Sequence, residues 1–171
     1  MADLHDIGMK EDRHASAPGR AEPDRLELRV WLRLLLCTQM IEKRLRSRLR
    51  ERFDTTLARF DVLAQLDRFP DGLMMGELSR RLMVTHGNVT GLIDRLAAEG
   101  QVERLPVPGD RRAQLVRLTP TGREIFATMA PIHAGWVAEL FDGVPHNELL
   151  DLYDRLGAVR ESVLAAADGD A

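Results

Sequence analysis

The feature that most restricts the fold lies between Met75 and Thr119, where the hydrophobic period changes. Met75–Leu82 and His86–Glu99 carry apolar residues at helical spacing, separated only by Met83-Val84-Thr85. Gly100 follows, a residue type suited to the left-handed position that closes a helix. Val102–Pro106 and Leu115–Thr119 then read as short β-prone runs, and Pro108-Gly109-Asp110 supplies turn chemistry between them. Two short helices across a tight turn, with a hairpin directly behind the second, leave few architectures open. The expected fold is mainly α with a small β-hairpin wing, a winged helix-turn-helix. In that layout the second helix fits the ~12 Å wide major groove of DNA and the hairpin reaches the neighbouring backbone or minor groove.

The residues on the second helix suit such a role. Its N-terminal positions Thr85, His86, Gly87, Asn88, Thr90 and Gly91 are small or polar, and Val89, Leu92, Ile93 and Leu96 form the inner face. Small residues let a backbone approach the groove. Asn88 has the geometry to pair bidentately with adenine, and the Thr90 methyl can meet a thymine methyl. Thr85 is placed to cap the helix, whose free first-turn N–H groups favour a phosphate. In the hairpin, Gly109-Asp110-Arg111-Arg112 sets two guanidinium groups beside a turn, the group best matched to a narrow minor groove. Asp110 would orient an arginine or the turn, since phosphate repels its charge.

The flanks are helical. Leu26, Val30, Leu34, Cys37, Ile41, Leu45 and Leu49 form one apolar stripe, and Trp31, Leu32, Leu35, Leu36 and Met40 a second. From Leu26 to Arg52 such a helix runs about 40 Å. A helix apolar on two sides needs two partners, its own domain and something else. Thr55 or Thr56 can cap a further helix whose Leu57, Phe60, Leu63 and Leu66 face inward, ending at Pro70 and Gly72. Thr119 with Pro120 opens another helix, running towards Phe141. A last one carries Leu149, Leu152, Leu156, Val159 and Val163, with acidic residues outward. Residues 1–22 mix Gly, Pro, Ser, Ala and charge without periodicity and read as a flexible arm.

Net charge is −3, which on its face argues against a nucleic-acid partner, but the charge is divided. Residues 25–123 carry 19 Lys or Arg against 12 Asp or Glu, while the two ends together carry 5 against 15. A DNA-binding surface needs a local basic patch, not a basic whole. Neither a P-loop, a glycine-rich dinucleotide motif nor a nucleophile elbow is present, so the chain is not expected to be an enzyme. The five histidines are scattered and form no ligand spacing, so no metal or other cofactor is expected. One cysteine precludes an intrachain disulfide; with no apolar run of membrane-spanning length and no signal-peptide core, a cytoplasmic protein without a membrane partner is expected.

The sequence resembles the multiple antibiotic resistance regulator (MarR) family. The resemblance is carried by Leu78-Ser79-Arg80-Arg81-Leu82, Val84-Thr85, Asn88-Val89-Thr90, Leu92-Ile93-Asp94-Arg95-Leu96 and Gly100. The most specific part is Asp110-Arg111-Arg112 leading to Leu118-Thr119 and Gly122. It covers roughly residues 25–168. It implies a DNA-binding transcription regulator, a homodimer whose first and last helices interlock, and a pseudo-palindromic operator. The implied parts are dimerisation helices over 23–54 and 124–168 and a DNA-binding region over 55–123. Implied DNA contacts are Thr85, His86, Gly87, Asn88, Thr90, Arg95, Arg111 and Arg112, the last in the minor groove. The chain departs from the family at Gly91, often Arg or Lys, at Gly87, often a small hydroxyl residue, and at Met74, often a capping Ser or Thr. Asp71 is the nearest substitute cap.

Family members commonly answer to small aromatic acids, and the run Val84–Leu92 is similar to members controlling the breakdown of aromatic acids and their thioesters. An aromatic acid or acyl-CoA thioester is therefore the expected effector of a repressor. Candidate pocket residues are Trp31, Met40, Phe60, Met75, His133 and Trp136, with Arg44 as carboxylate partner, although plain core packing is the favoured reading of each. Two alternatives remain open. Cys37 could make the regulator redox-responsive, which would require exposure, whereas its stripe predicts burial. A helical protein-interaction adaptor that binds no DNA would have no need of Arg111 and Arg112.

Overall fold

The computed structural model describes residues 25–107 and 109–168, with the backbone alone at 110–113 and 168. The proposed arm at 1–22 lies outside the described residues. Helix α1 spans Leu26–Phe53, α2 Leu57–Asp67, α3 Met75–Leu82, α4 His86–Ala98, α5 Pro120–Phe141 and α6 His146–Asp168; strands β1, β2 and β3 span Leu73–Met74, Val102–Val107 and Asp110–Leu118. The chain falls into two units, divided between Cys37 and Thr38.

In the first unit, the N-terminal half of α1 exposes Leu26, Val30, Trp31, Leu32, Leu35 and Leu36. Cys37 is exposed as well, which corrects its expected burial. The stripe is thus exposed over its N-terminal part, whereas its last members, Leu45 and Leu49, are buried.

The second unit holds the core. Leu45 and Leu49 from α1 join Phe60, Val62, Leu63 and Leu66 from α2, Leu78 from α3, and Val89, Ile93 and Leu96 from α4. Leu73, Met75, Val102, Val116, Leu118, Met129 and Trp136 complete it. A cluster dominated by Leu, Val and Ile packs by removing aliphatic surface from water, at roughly 25 cal/mol per Å². Phe53 meets Trp136 at 5.9 Å between ring centroids, and Arg48 reaches both Glu139 (2.7 Å) and the Trp136 face (5.8 Å).

Local chemistry sets the element ends. Thr56 accepts the Arg59 N–H at the start of α2, and Thr119 accepts the Gly122 N–H at the start of α5, where Pro120 occupies the first turn. Gly100 closes α4 at φ +71°. The sheet has order β1-β3-β2, all antiparallel. Its third strand, β1, escaped the sequence reading because two residues carry no period; Leu73 pairs with Val116 and Met74 with Leu115 only once the chain has folded back. Along α6, Leu150, Leu152, Tyr153, Leu156, Val159, Val163 and Leu164 are all exposed.

Candidate nucleic-acid interface

Helix α3 ends at Met83, which adopts a left-handed conformation at φ +53°, where its N–H bonds to the carbonyls of α3's last turn. The Ser79 hydroxyl donates to the Val84 carbonyl (2.7 Å), and the Val84 N–H donates to the Ser79 carbonyl (3.2 Å). This reciprocal pair locks the three-residue turn and so the angle at which α4 leaves it. Val89, Ile93 and Leu96 anchor α4 in the core, leaving Thr85, His86, Gly87, Asn88 and Gly91 exposed along about 9 Å of helix. Gly87 and Gly91 have nothing within 4 Å of where a Cβ would stand, so both face open space.

Three expectations are corrected here. Thr85 occupies the N-cap position of α4, but its side chain makes no capping bond, so the first-turn N–H groups remain available. Thr90 is half-buried, and its hydroxyl donates back to the His86 carbonyl (3.0 Å), so its proton is already committed. Asp71 does not cap α3: the N-cap there is Met74, without a side-chain bond, because β1 runs directly into the helix.

The hairpin is longer than its sequence suggested, since β3 begins at Asp110. Gly109 turns the chain at φ +87°. The ladder pairs Pro106 with Gln114 but Val107 with Asp110, so residues 111–113 stand opposite no partner and the strand is irregular there. Proline at position 106 has no N–H to donate to a regular ladder. Arg111 and Arg112 thus sit on the strand just past the turn, not within it; their side chains and that of Asp110 lie outside the described residues. The base of the wing is fixed by Arg117 on Glu103 (2.7 Å) and Arg104 on Asp94 (2.5 Å). Arg59 pairs with Glu99 at the far end of α4.

Met75 and Trp136 are buried core, Trp31 is exposed on the first half of α1, and Met40 and Arg44 are exposed further along it. Phe60 and His133 do meet, stacked at 4.1 Å between ring centroids, on a groove of about 490 Å³ that also includes Asp61, Gln65, Arg68 and Arg81. Burial lowers the His133 pKa from its ordinary 6.5, because the charged ring is the form that loses most from desolvation. A separate cavity of about 300 Å³ is lined by Ala58, Asp61, Leu82, Val84, Asn88, Leu92 and Arg95. It puts Asn88 and Arg95, both named as DNA contacts, around one cavity with Asp61, whose pKa is raised to about 6 by burial and then by Glu42, with Arg46 opposing. The sequence reading missed Asp61 because helical spacing alone does not distinguish it from a solvated carboxylate. Among the described residues no cluster of three or more His, Cys, Asp or Glu could hold a metal, and no helix is long and apolar enough to cross a membrane.

Residues 53–113 match the model of the MarR family. The transcriptional activatory protein BadR of Rhodopseudomonas palustris is 31% identical over 160 residues, 91% of each chain. This chain belongs to the MarR family of transcription regulators. A MarR-family regulator from Silicibacter pomeroyi has a solved structure 33% identical to this protein, with TM-score 0.70 over 83% of this chain and 99% of that one. Sco3205 of Streptomyces coelicolor, solved in complex with DNA, shares the fold at TM-score 0.72 and 24% identity, over 85% of this chain and 92% of that one. The present MarR-family protein is accordingly a winged-helix, DNA-binding transcription regulator and not an enzyme.

Proposed function

We propose that this regulator binds a pseudo-palindromic duplex as a homodimer, with α4 in the major groove and the wing arginines in the adjacent minor groove. The observation that carries the docking mode is the pairing of an anchored inner face on α4 with an exposed, small and polar N-terminal half, directly beside the hairpin. Base contacts are assigned to His86 and Asn88, close backbone approach to Thr85, Gly87 and the Thr90 turn, and minor-groove contact to Arg112 with Arg111 on the backbone. Arg95, exposed late in α4, is assigned a phosphate. Homodimerisation is supported by two apolar faces exposed among the described residues, on residues 26–36 and along α6. Monomeric proteins rarely expose so much contiguous apolar surface. Two α4 helices one DNA turn apart, about 34 Å, then require a repeated half-site. The dimer region comprises 23–54 and 124–168 and the DNA-binding region 55–123, in a cytoplasmic protein.

The effector we propose is an aromatic acid or its acyl-CoA thioester, held in the Phe60–His133 groove. Two stacked rings supply an apolar, planar wall, and Arg68 takes the role of carboxylate or phosphate partner in place of Arg44. Such a ligand acts only through higher affinity for the DNA-free arrangement, which gives repression relieved by ligand. The relative named as an activatory protein supports a second reading, activation at a promoter.

The test is anisotropy on a duplex selected from a random pool, with sedimentation for mass. A dimer that binds it, an Arg112→Ala variant that has lost most affinity, and release by benzoate or benzoyl-CoA would support the proposal. Unchanged affinity in Arg112→Ala would instead favour an adaptor role.

A further inference from the structure

We propose that Arg104 is a positioning residue for DNA recognition: its ion pair with Asp94 fixes the recognition helix relative to the wing, so that both engage one duplex together. His86, Thr90 and Asp94 recur every fourth residue and so form one stripe of α4. Arg104 on β2 shares a cleft of about 290 Å³ with the first two of these, together with Gln114, Met74 and Gly76, and its Nη2 stands 2.5 Å from Oδ1 of the third. One guanidinium therefore runs beside two turns of the helix that faces DNA.

Two further observations give the contact its role. The Arg104 Nε and Nη2 atoms are shielded from water yet make no aligned hydrogen bond, so among the described residues the group is held by charge on the Asp94 carboxylate. On the opposite face of the same strand, neighbouring Glu103 is already paired with Arg117, its register partner, and does not compete for Arg104. Asp94 is largely exposed and Arg104 about a quarter so, and pairs of that kind add little to folding stability. A substitution here is therefore expected to leave the fold intact while changing how the helix and wing are set against each other. Because the contact uses one nitrogen and not a bidentate fork, lysine can replace arginine.

The experiment measures anisotropy of the full chain on a duplex selected from a random pool by the native protein, and on an unrelated duplex of equal length. Arg104→Gln and Asp94→Asn are each expected to weaken the selected duplex about tenfold and the unrelated one less than twofold. The double variant should be no weaker than either single one. Arg104→Lys, and the swap Arg104→Asp with Asp94→Arg, should regain most of the loss. Asp94→Asn, at the exposed end of the pair, carries the test should Arg104→Gln unfold. The inference is overturned if Asp94→Asn has no effect while Arg104→Gln weakens both duplexes and lowers the salt slope, because Arg104 would then be a direct phosphate contact. Additive losses in the double variant would overturn it equally. It rests on the helix-and-wing docking proposed above, whose own failure would show separately as an ineffective Arg112→Ala.

Discussion

Asp61 offers a quantitative handle on the region behind the recognition helix. Its carboxyl titrates near 6 instead of 3.8, because burial opposes its charge and Glu42 adds repulsion that Arg46 only partly offsets. Arg46 is itself held by Glu42 at 2.5 Å, and Asp61 lines the cavity behind Asn88 and Arg95. Below about pH 4 the group is protonated in both folded and unfolded chains and costs nothing. As pH rises from about 4 to 6 the unfolded chain ionises first, so folding becomes progressively less favourable, and above about 6 the penalty is constant. A shift of about two units corresponds to about 3 kcal/mol at most. Asp61 is only half-buried, so solvent screening reduces this to about 1 kcal/mol. Asp61→Asn keeps the shape and removes the charge. It should raise stability by about 1 kcal/mol at pH 7.5, or roughly 2–4 °C in Tm for a chain of this size, and leave it unchanged near pH 4. Urea denaturation of both proteins at pH 4, 5, 6 and 7.5 provides the measurement. His133 titrates in a neighbouring window with the opposite sign, losing stability as pH falls below its ordinary 6.5, but it is common to both chains and cancels in their difference. A gain independent of pH, or a loss at pH 7.5, would refute the reasoning.

Other perturbations test other parts of the molecule. Gly122→Ala would place a Cβ 1.9 Å from the Gln101 carbonyl oxygen, so α5 must move off the end of α4; a loss of about 2–4 kcal/mol is expected by denaturant titration, and a neutral result would contradict the packing. Thr119→Ala removes both the cap to the Gly122 N–H and the donor to the Gly100 carbonyl (2.6 Å), and should cost about 1–2 kcal/mol in the same assay. Arg112→Ala should reduce the slope of log affinity against log salt by about two for a dimer, one lost phosphate-region contact per wing, measured by anisotropy across a salt series. Arg68→Ala, an exposed residue of the Phe60–His133 groove, should weaken release of DNA by benzoyl-CoA at least tenfold while leaving DNA affinity in its absence unchanged.

The helix-turn-helix was legible because its signals are local. Val89, Ile93 and Leu96 repeat at the helical period, Gly100 sits where a left-handed residue must, and Thr119-Pro120 announces a helix start whatever lies around it. The candidate site was legible only in part. Thr90 was placed on the open face by residue type, but its hydroxyl turns back on the His86 carbonyl. Cys37 was assigned to a buried stripe, but the stripe is buried only towards Leu45 and Leu49, and Cys37 is exposed. Of the residues named for a ligand, Phe60, Met75 and Trp136 are all part of the core, and the stacking of Phe60 on His133 was not legible because it joins residues more than seventy positions apart.

Periodicity, caps and turn residues depend on neighbours within about four positions, and those alone determined the element order, the turn before α4 and the hairpin behind it. Contacts between segments far apart in the chain were left to the tertiary structure: β1 finding β3 across some forty residues, Arg104 meeting Asp94, Glu99 meeting Arg59, and Asp61 losing its water beside Glu42. The physical reason is that an isolated pattern states which face of a helix is apolar or charged, whereas the partner of that face, and the dielectric in which a charge then sits, exist only after the segments have closed on one another.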